Sequence, residues 1–182
     1  MQTYIALLRG INVSGQKKIK MAELKSHLET LDFEDVQTYI QSGNIVFKAA
    51  AKSSKALGQL IEKKLQDKYS FHVPTLVKTP EELDYVLLNN PFLEDPEKET
   101  KRMYVTFLGE EPSPDRIELL KTVDYSPEAY HLDGKNIFFY SPNGYGRAKM
   151  NNNFFENKLK VAATTRNWNT VNKLFEMSGG ER

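Results

Sequence analysis

Two stretches of this chain, QTYIQSGNIVFK and EAYHLDGKNIFFYS, share one design: a β-branched and aromatic segment, a short polar turn, and a second such segment. Each reads as a β-hairpin, the first folded at Ser42-Gly43 and the second at Asp133-Gly134. The elements around them also recur in the same order. Thr3 to Leu8 and RMYVTFL are apolar runs of strand length. Met21, Leu24, Leu28 and Leu31 repeat at helical spacing, as does the segment SPDRIELLKTV, for which Ser113 is the expected cap and Pro114 the first-turn residue. After each hairpin comes a second helix, Ser53 to Tyr69 in one case and NNNFFENKLK in the other, and then a closing strand, HVPTLVK or VAATT.

The order strand, helix, strand, strand, helix, strand, given twice, predicts an α+β fold of two tandem ferredoxin-like halves. Each half is an antiparallel sheet with both helices on one face. The expected division is 1–90 for the first half, 91–101 for a linker carrying Pro91 and Pro96, and 102–182 for the second half with a terminal helix. Thr79 and Pro80 start an additional helix, and 178–182 reads as a frayed end. In the first strand Tyr4, Ala6 and Leu8 point one way while Ile5 and Leu7 point the other, so both faces of that strand are apolar.

Composition narrows the function classes. Cysteine is absent, which removes disulfides, thiolate nucleophiles and cysteine zinc sites, and fits a reducing cytoplasm, the expected location. The formal net charge of +1 argues against a bulk electrostatic pull on nucleic acid or a membrane. No apolar run approaches the ~20 residues of a membrane-spanning helix. The three histidines lie in different elements without a second ligand at metal-binding spacing, and no GxSxG, HExxH or GxxxxGKS pattern is present. No metal site, cofactor or catalytic residue is therefore nominated, and whether the chain is an enzyme stays open.

Three polar loops are the candidate binding segments. The first, Arg9 to Lys20, leaves a strand and enters a helix; its two glycines permit close approach, Asn12 and Ser14 offer hydrogen bonds, and Lys17, Lys18 and Lys20 supply charge. The second, NGYGRAKMNNN, stands at the matching point of the second half with Arg147 and Lys149, and Asn151 or Asn152 can cap the helix that follows. The third holds the sole tryptophan. In it Asn167 or Asn169 can cap the terminal helix, Trp168 offers a stacking face, and Arg166 offers a planar fork for phosphate or carboxylate.

With LLRGINVSG, TYIQSGNIVF and ATTRNWNTV together, the chain resembles, end to end, a bacterial family of uncharacterised proteins catalogued as a domain of unknown function. The resemblance implies two ferredoxin-like halves and carries no activity. The first loop departs from the family pattern at Ser14, where glycine is usual, and the second at Met150, where threonine is usual.

Three functions follow as alternatives. The leading one is a site for a small phosphorylated or carboxylated ligand at the polar loops. The second is a nucleic-acid module using a basic rim of Lys17, Lys18, Lys20, Arg147 and Arg166, with strong salt dependence. The third is a structural or protein-interaction role without a ligand.

Overall fold

The computed structural model describes residues Met1 to Glu181. Two compact units make up the chain, the first from Met1–Tyr85 with the segment from Lys173 onward, the second from Val86–Asn172. These bounds differ from the division expected at 90 and 102. The segment expected to be a linker belongs to the second unit, as two short 3-10 turns, Pro91–Glu94 and Thr100–Arg102. Its side chains explain why. Asn90 is buried and accepts from the Phe92 N–H at 3.1 Å, the Phe92 ring lies 6.1 Å from that of Tyr140, and Lys98 stands 5.4 Å over the Tyr140 ring.

The first unit runs β1 (Gln2–Leu8), α1 (Met21–Glu29), β2 (Glu34–Tyr39), β3 (Asn44–Ala49), α2 (Ser54–Tyr69), β4 (Thr75–Lys78). Its four-stranded antiparallel sheet has the order β2-β3-β1-β4. Tyr4, Ala6 and Leu8 of β1 join Leu24 and Leu28 of α1, Phe47 of β3 and Leu57, Ile61 and Leu65 of α2 in one buried cluster. Phe33 stacks on Phe47 with ring centroids 4.4 Å apart. On the opposite face of the sheet, Ile5, Leu7 and Val46 are equally buried, as the two-sided pattern of β1 requires.

The helix starts follow the sequence. Ser53 accepts from Ala56 N–H ahead of α2. Ahead of α3 (Pro80–Leu88), Thr79 accepts from Glu82 N–H at 3.3 Å while Glu82 accepts from Thr79 N–H at 2.9 Å, a reciprocal capping box.

The second unit repeats the plan with β5 (Met103–Leu108), α4 (Pro114–Lys121), β6 (Ala129–Asp133), β7 (Asn136–Tyr140), α5 (Asn152–Leu159) and β8 (Ala163–Asn167) in the sheet order β6-β7-β5-β8. The correspondence reaches single hydrogen bonds. Leu8 N–H donates to Gly43 O and Leu108 N–H to Lys135 O, each at 2.8 Å. Arg9 N–H donates to Pro74 O and Gly109 N–H to Ala162 O, at 2.9 and 2.8 Å. Ser113 holds the N-cap position of α4 but makes no side-chain cap bond there.

The terminal helix, α6 (Trp168–Met177), ends in order rather than in the fraying expected of 178–182. Gly179 takes φ +94°, its N–H donates to Glu176 O at 3.1 Å, and Gly180 N–H reaches Phe175 O at 3.0 Å. This is a Schellman stop, which satisfies carbonyls that a frayed end would leave to water. Arg182 lies outside the described residues.

Candidate functional site

In the second unit, strand pairing and the start of α5 bring Tyr145 and Asn152 of NGYGRAKMNNN to Thr165 of ATTRNWN. Antiparallel pairing sets Thr106 of β5 opposite Thr165 of β8, and their hydroxyls meet at 2.8 Å. Thr165 donates to Asn152 Oδ1 at 3.0 Å, and Asn152 Nδ2 donates to Ala163 O at 3.0 Å. The Asn152 N–H donates to the Tyr145 hydroxyl at 2.8 Å, and the Tyr145 N–H to the Tyr104 hydroxyl at 3.2 Å. The two tyrosine rings lie 5.2 Å apart. A linked network of this kind fixes its members' rotamers, because breaking one bond strands a polar group of the next.

The loop NGYGRAKMNNN also holds an anion supplied by the chain itself. The backbone N–H groups of Lys149 and Met150 both donate to the Glu128 carboxylate, at 2.7 and 2.9 Å. Asn151 is the cap that its position suggested, accepting from Phe154 N–H at 3.0 Å. Arg147 and Lys149 are exposed on either side of Ala148, and among the described residues neither forms an ion pair. The loop thus presents two converging amides to one carboxylate, with two exposed cationic side chains next to them along the chain.

Arg166 is different. Its side chain is buried, with Nη1 donating to Thr164 Oγ1 and to Thr165 O, both at 2.9 Å. Burial pulls the guanidinium down to about 10, which leaves it charged at neutral pH. Asn167 caps α6 by accepting from Thr170 N–H at 2.7 Å. Trp168 is buried, its carbonyl accepts from Asn172 Nδ2 at 2.8 Å, and Asn169 is exposed. Replacing Asn167 by alanine is expected to lower stability by about 1 kcal/mol, the ordinary worth of an N-cap, with α6 losing hydrogen-exchange protection first.

In the first unit, the loop from Arg9 to Lys20 closes on itself. Val13 and Gln16 form an isolated bridge, and the Asn12 N–H donates to Lys17 O at 3.2 Å. The Asn12 side chain is used completely. Oδ1 accepts from Ile19 N–H at 2.9 Å, and Nδ2 donates to Ile19 O at 2.9 Å and to Gln41 O at 2.8 Å. Lys17 donates to His72 O at 2.6 Å, Lys20 pairs with Glu23 at 3.1 Å, and Lys18 is exposed.

Sequence reasoning missed Glu128 and Thr165 and offered Asn152 only as a cap, because their roles depend on partners distant along the chain. His27 meets the Tyr69 ring edge-on at 5.6 Å, and His72 lies 3.4 Å from Glu62. Among the described residues no group of acids and histidines could hold a metal ion.

The fold defines a class: α+β proteins of two tandem ferredoxin-like units. Within that class the chain belongs to the family of proteins of unknown function DUF1697, whose model matches residues 1–138. Among solved structures it is similar to a conserved bacterial protein from Streptococcus pneumoniae. The two share 26% sequence identity over 97% of this chain and 98% of that one, with a TM-score of 0.71. No curated protein matches. No helix is long and apolar enough to cross a membrane among the described residues.

Proposed function

We infer that this chain binds a small phosphorylated or carboxylated molecule at the loop 143–153 of the second unit. Arg147 and Lys149 supply the charge, and the backbone N–H groups of Lys149 and Met150 supply directed donors. The observation that carries this reading is the seating of the Glu128 carboxylate on those two amides at 2.7 and 2.9 Å, since groups that hold one carboxylate suit another. Glu128 then acts as an internal latch that an incoming anion displaces. The apparent affinity is reduced by the fraction of molecules in which the latch is closed.

The loop Arg9 to Lys20 of the first unit, through Lys18 above all, is a second basic surface for the same class of ligand. The buried Arg166 interacts with Tyr145 of the loop 143–153, while Asn167 caps α6, which begins at Trp168 and carries the exposed Asn169. The sole tryptophan, Trp168, begins the helix that follows β8 and reports on changes at that helix start. Titration with inorganic phosphate, a sugar phosphate and a dicarboxylate, followed by Trp168 emission and by calorimetry, is expected to give a saturable response. Removing the latch with Glu128→Ala should tighten binding about tenfold, while Arg147→Ala with Lys149→Ala should abolish it. Silence from all three ligands in both wild type and Glu128→Ala overturns the reading. Binding confined to oligonucleotides and lost at moderate salt would replace it with the nucleic-acid rim.

A further inference from the structure

Four strands end the two sheets, and three of these edges are closed to further pairing. β2 is bulged, with a register shift between Glu34 and Gln37 and Asp35 at φ +50°. On β4 the Thr75 N–H is taken by Glu62 at 2.8 Å. On β8 the Ala163 N–H is taken by Glu156 at 2.9 Å and its carbonyl by Asn152 at 3.0 Å. These are recognised ways of blunting an edge. β6 has none of them. It pairs with β7 in unbroken register from Ala129↔Tyr140 to Asp133↔Asn136. Among the described residues, no side chain bonds to the backbone of Tyr130 or Leu132. In a hairpin closed by the pair Asp133↔Asn136 around Gly134, alternation turns the N–H and C=O of Tyr130 and Leu132 away from β7.

The helix beside this edge also departs from its counterpart. In the first unit α1 lies against β2, whereas α4 packs mainly on α5 and leaves a groove of about 510 Å³ beside β6. Pro112 and Ile117 on the α4 side, and Tyr130 and Leu132 on the strand side, give it an apolar part, beside Lys121, His131 and Glu111. Its charges are unequal. Lys121 is neutralised by Glu118 at 2.7 Å. Glu111 meets no cation among the described residues, and its carboxylate lies 3.9 Å from where a Cβ on Gly134 would stand. The turn end of the groove is therefore acidic.

The geometry points to a peptide-docking groove in the second unit. An extended segment adds to β6 as a fifth strand, seats an apolar side chain under α4 against Ile117 and Leu132, and directs a basic side chain at Glu111. The main chain is held by the outward groups of Tyr130 and Leu132, and the side chains select the sequence. In the antiparallel orientation the segment's N-terminal end lies at Gly134. The basic residue then precedes the apolar one by two positions, the spacing that puts both on one face of a strand.

A fluorescein-labelled heptapeptide Ser-Arg-Thr-Leu-Thr-Val-Ser tests this by anisotropy, with amide hydrogen exchange of the full chain as the second readout. Saturable one-to-one binding with slowed exchange at Tyr130 and Leu132 is expected. Ile117→Glu should weaken it roughly tenfold or more by placing a charge among the apolar lining. Glu111→Lys should cost about two- to fivefold and shift preference to the same peptide with glutamate in place of arginine. Both sites are partly or fully exposed, so neither variant threatens the fold. The proposal fails if the peptide binds without protecting the Tyr130 and Leu132 amides, or does not bind. It also fails if those amides are protected without peptide in proportion to protein concentration, which would make β6 an edge shared between copies of this chain.

Discussion

Gly43→Ala is expected to destabilise the first unit by about 4 kcal/mol, because two independent penalties act at one Cβ. Gly43 closes the β2–β3 turn at φ +82°, a conformation that alanine adopts only with strain. The added methyl would also stand 2.6 Å from Leu8 Cβ and 2.9 Å from Ile11 Cδ1, and both of those residues are fully buried. Leu8 does not retreat cheaply, since the contact is with its Cβ and its N–H is tied to the Gly43 carbonyl at 2.8 Å. Two glycines separate the penalties. Gly10 has φ +71° with nothing within 4 Å of an added Cβ, so Gly10→Ala should cost about 1 kcal/mol, the conformational part alone. Gly146 has neither a positive φ nor a neighbour, so Gly146→Ala should be neutral or slightly stabilising. Urea unfolding followed by far-UV circular dichroism ranks the three variants. If Gly43→Ala costs no more than Gly10→Ala, the close approach to Leu8 and Ile11 is wrong.

The Gly43 case shows where sequence reading stops. Ser42-Gly43 between two β-branched runs marks a turn, and that much is local. The approach of Leu8 is not, because it depends on β3 pairing with β1 rather than only with β2. The fold was legible for a related reason. Both sheets rest on alternating or continuous apolar strands and helices of regular spacing, each a pattern within ten or so residues. Caps were legible too, since Thr79, Asn151 and Asn167 each sit three residues before the amide they accept from. At the candidate site the same limit recurs. Arg147 and Lys149 stand out by type, but the carboxylate that their loop holds comes from Glu128, 21 residues before Lys149. Nothing in the spacing distinguishes Glu128 from the other acids. The chain end was misread because a glycine pair after a helix suits either fraying or a Schellman stop. The Gly180 N–H bond to Phe175 O decides for the stop.

The second large effect belongs to Asn12, which the sequence offers as a ligand contact and the structure uses as a brace. Asn12→Ala is expected to cost about 3 kcal/mol. The amide makes three hydrogen bonds, two to Ile19 and one to Gln41, together worth about 2 kcal/mol net. Alanine must in addition hold the φ of +55° that asparagine tolerates. Asn12→Gly removes the same bonds without the backbone strain, so it should cost about 2 kcal/mol, and the difference between the two measures the strain. Asn12→Asp keeps the acceptor for Ile19 N–H but loses both donated bonds, and should fall near the glycine variant. Because both Nδ2 hydrogens and Oδ1 are already engaged, a ligand could use this side chain only by breaking the tie between the Arg9 to Lys20 loop and Gln41. The variants should therefore lose unfolding free energy, and hydrogen-exchange protection at Ile19, in proportion to one another whether or not phosphate is present. A loss of phosphate affinity with unchanged stability would return Asn12 to the binding site.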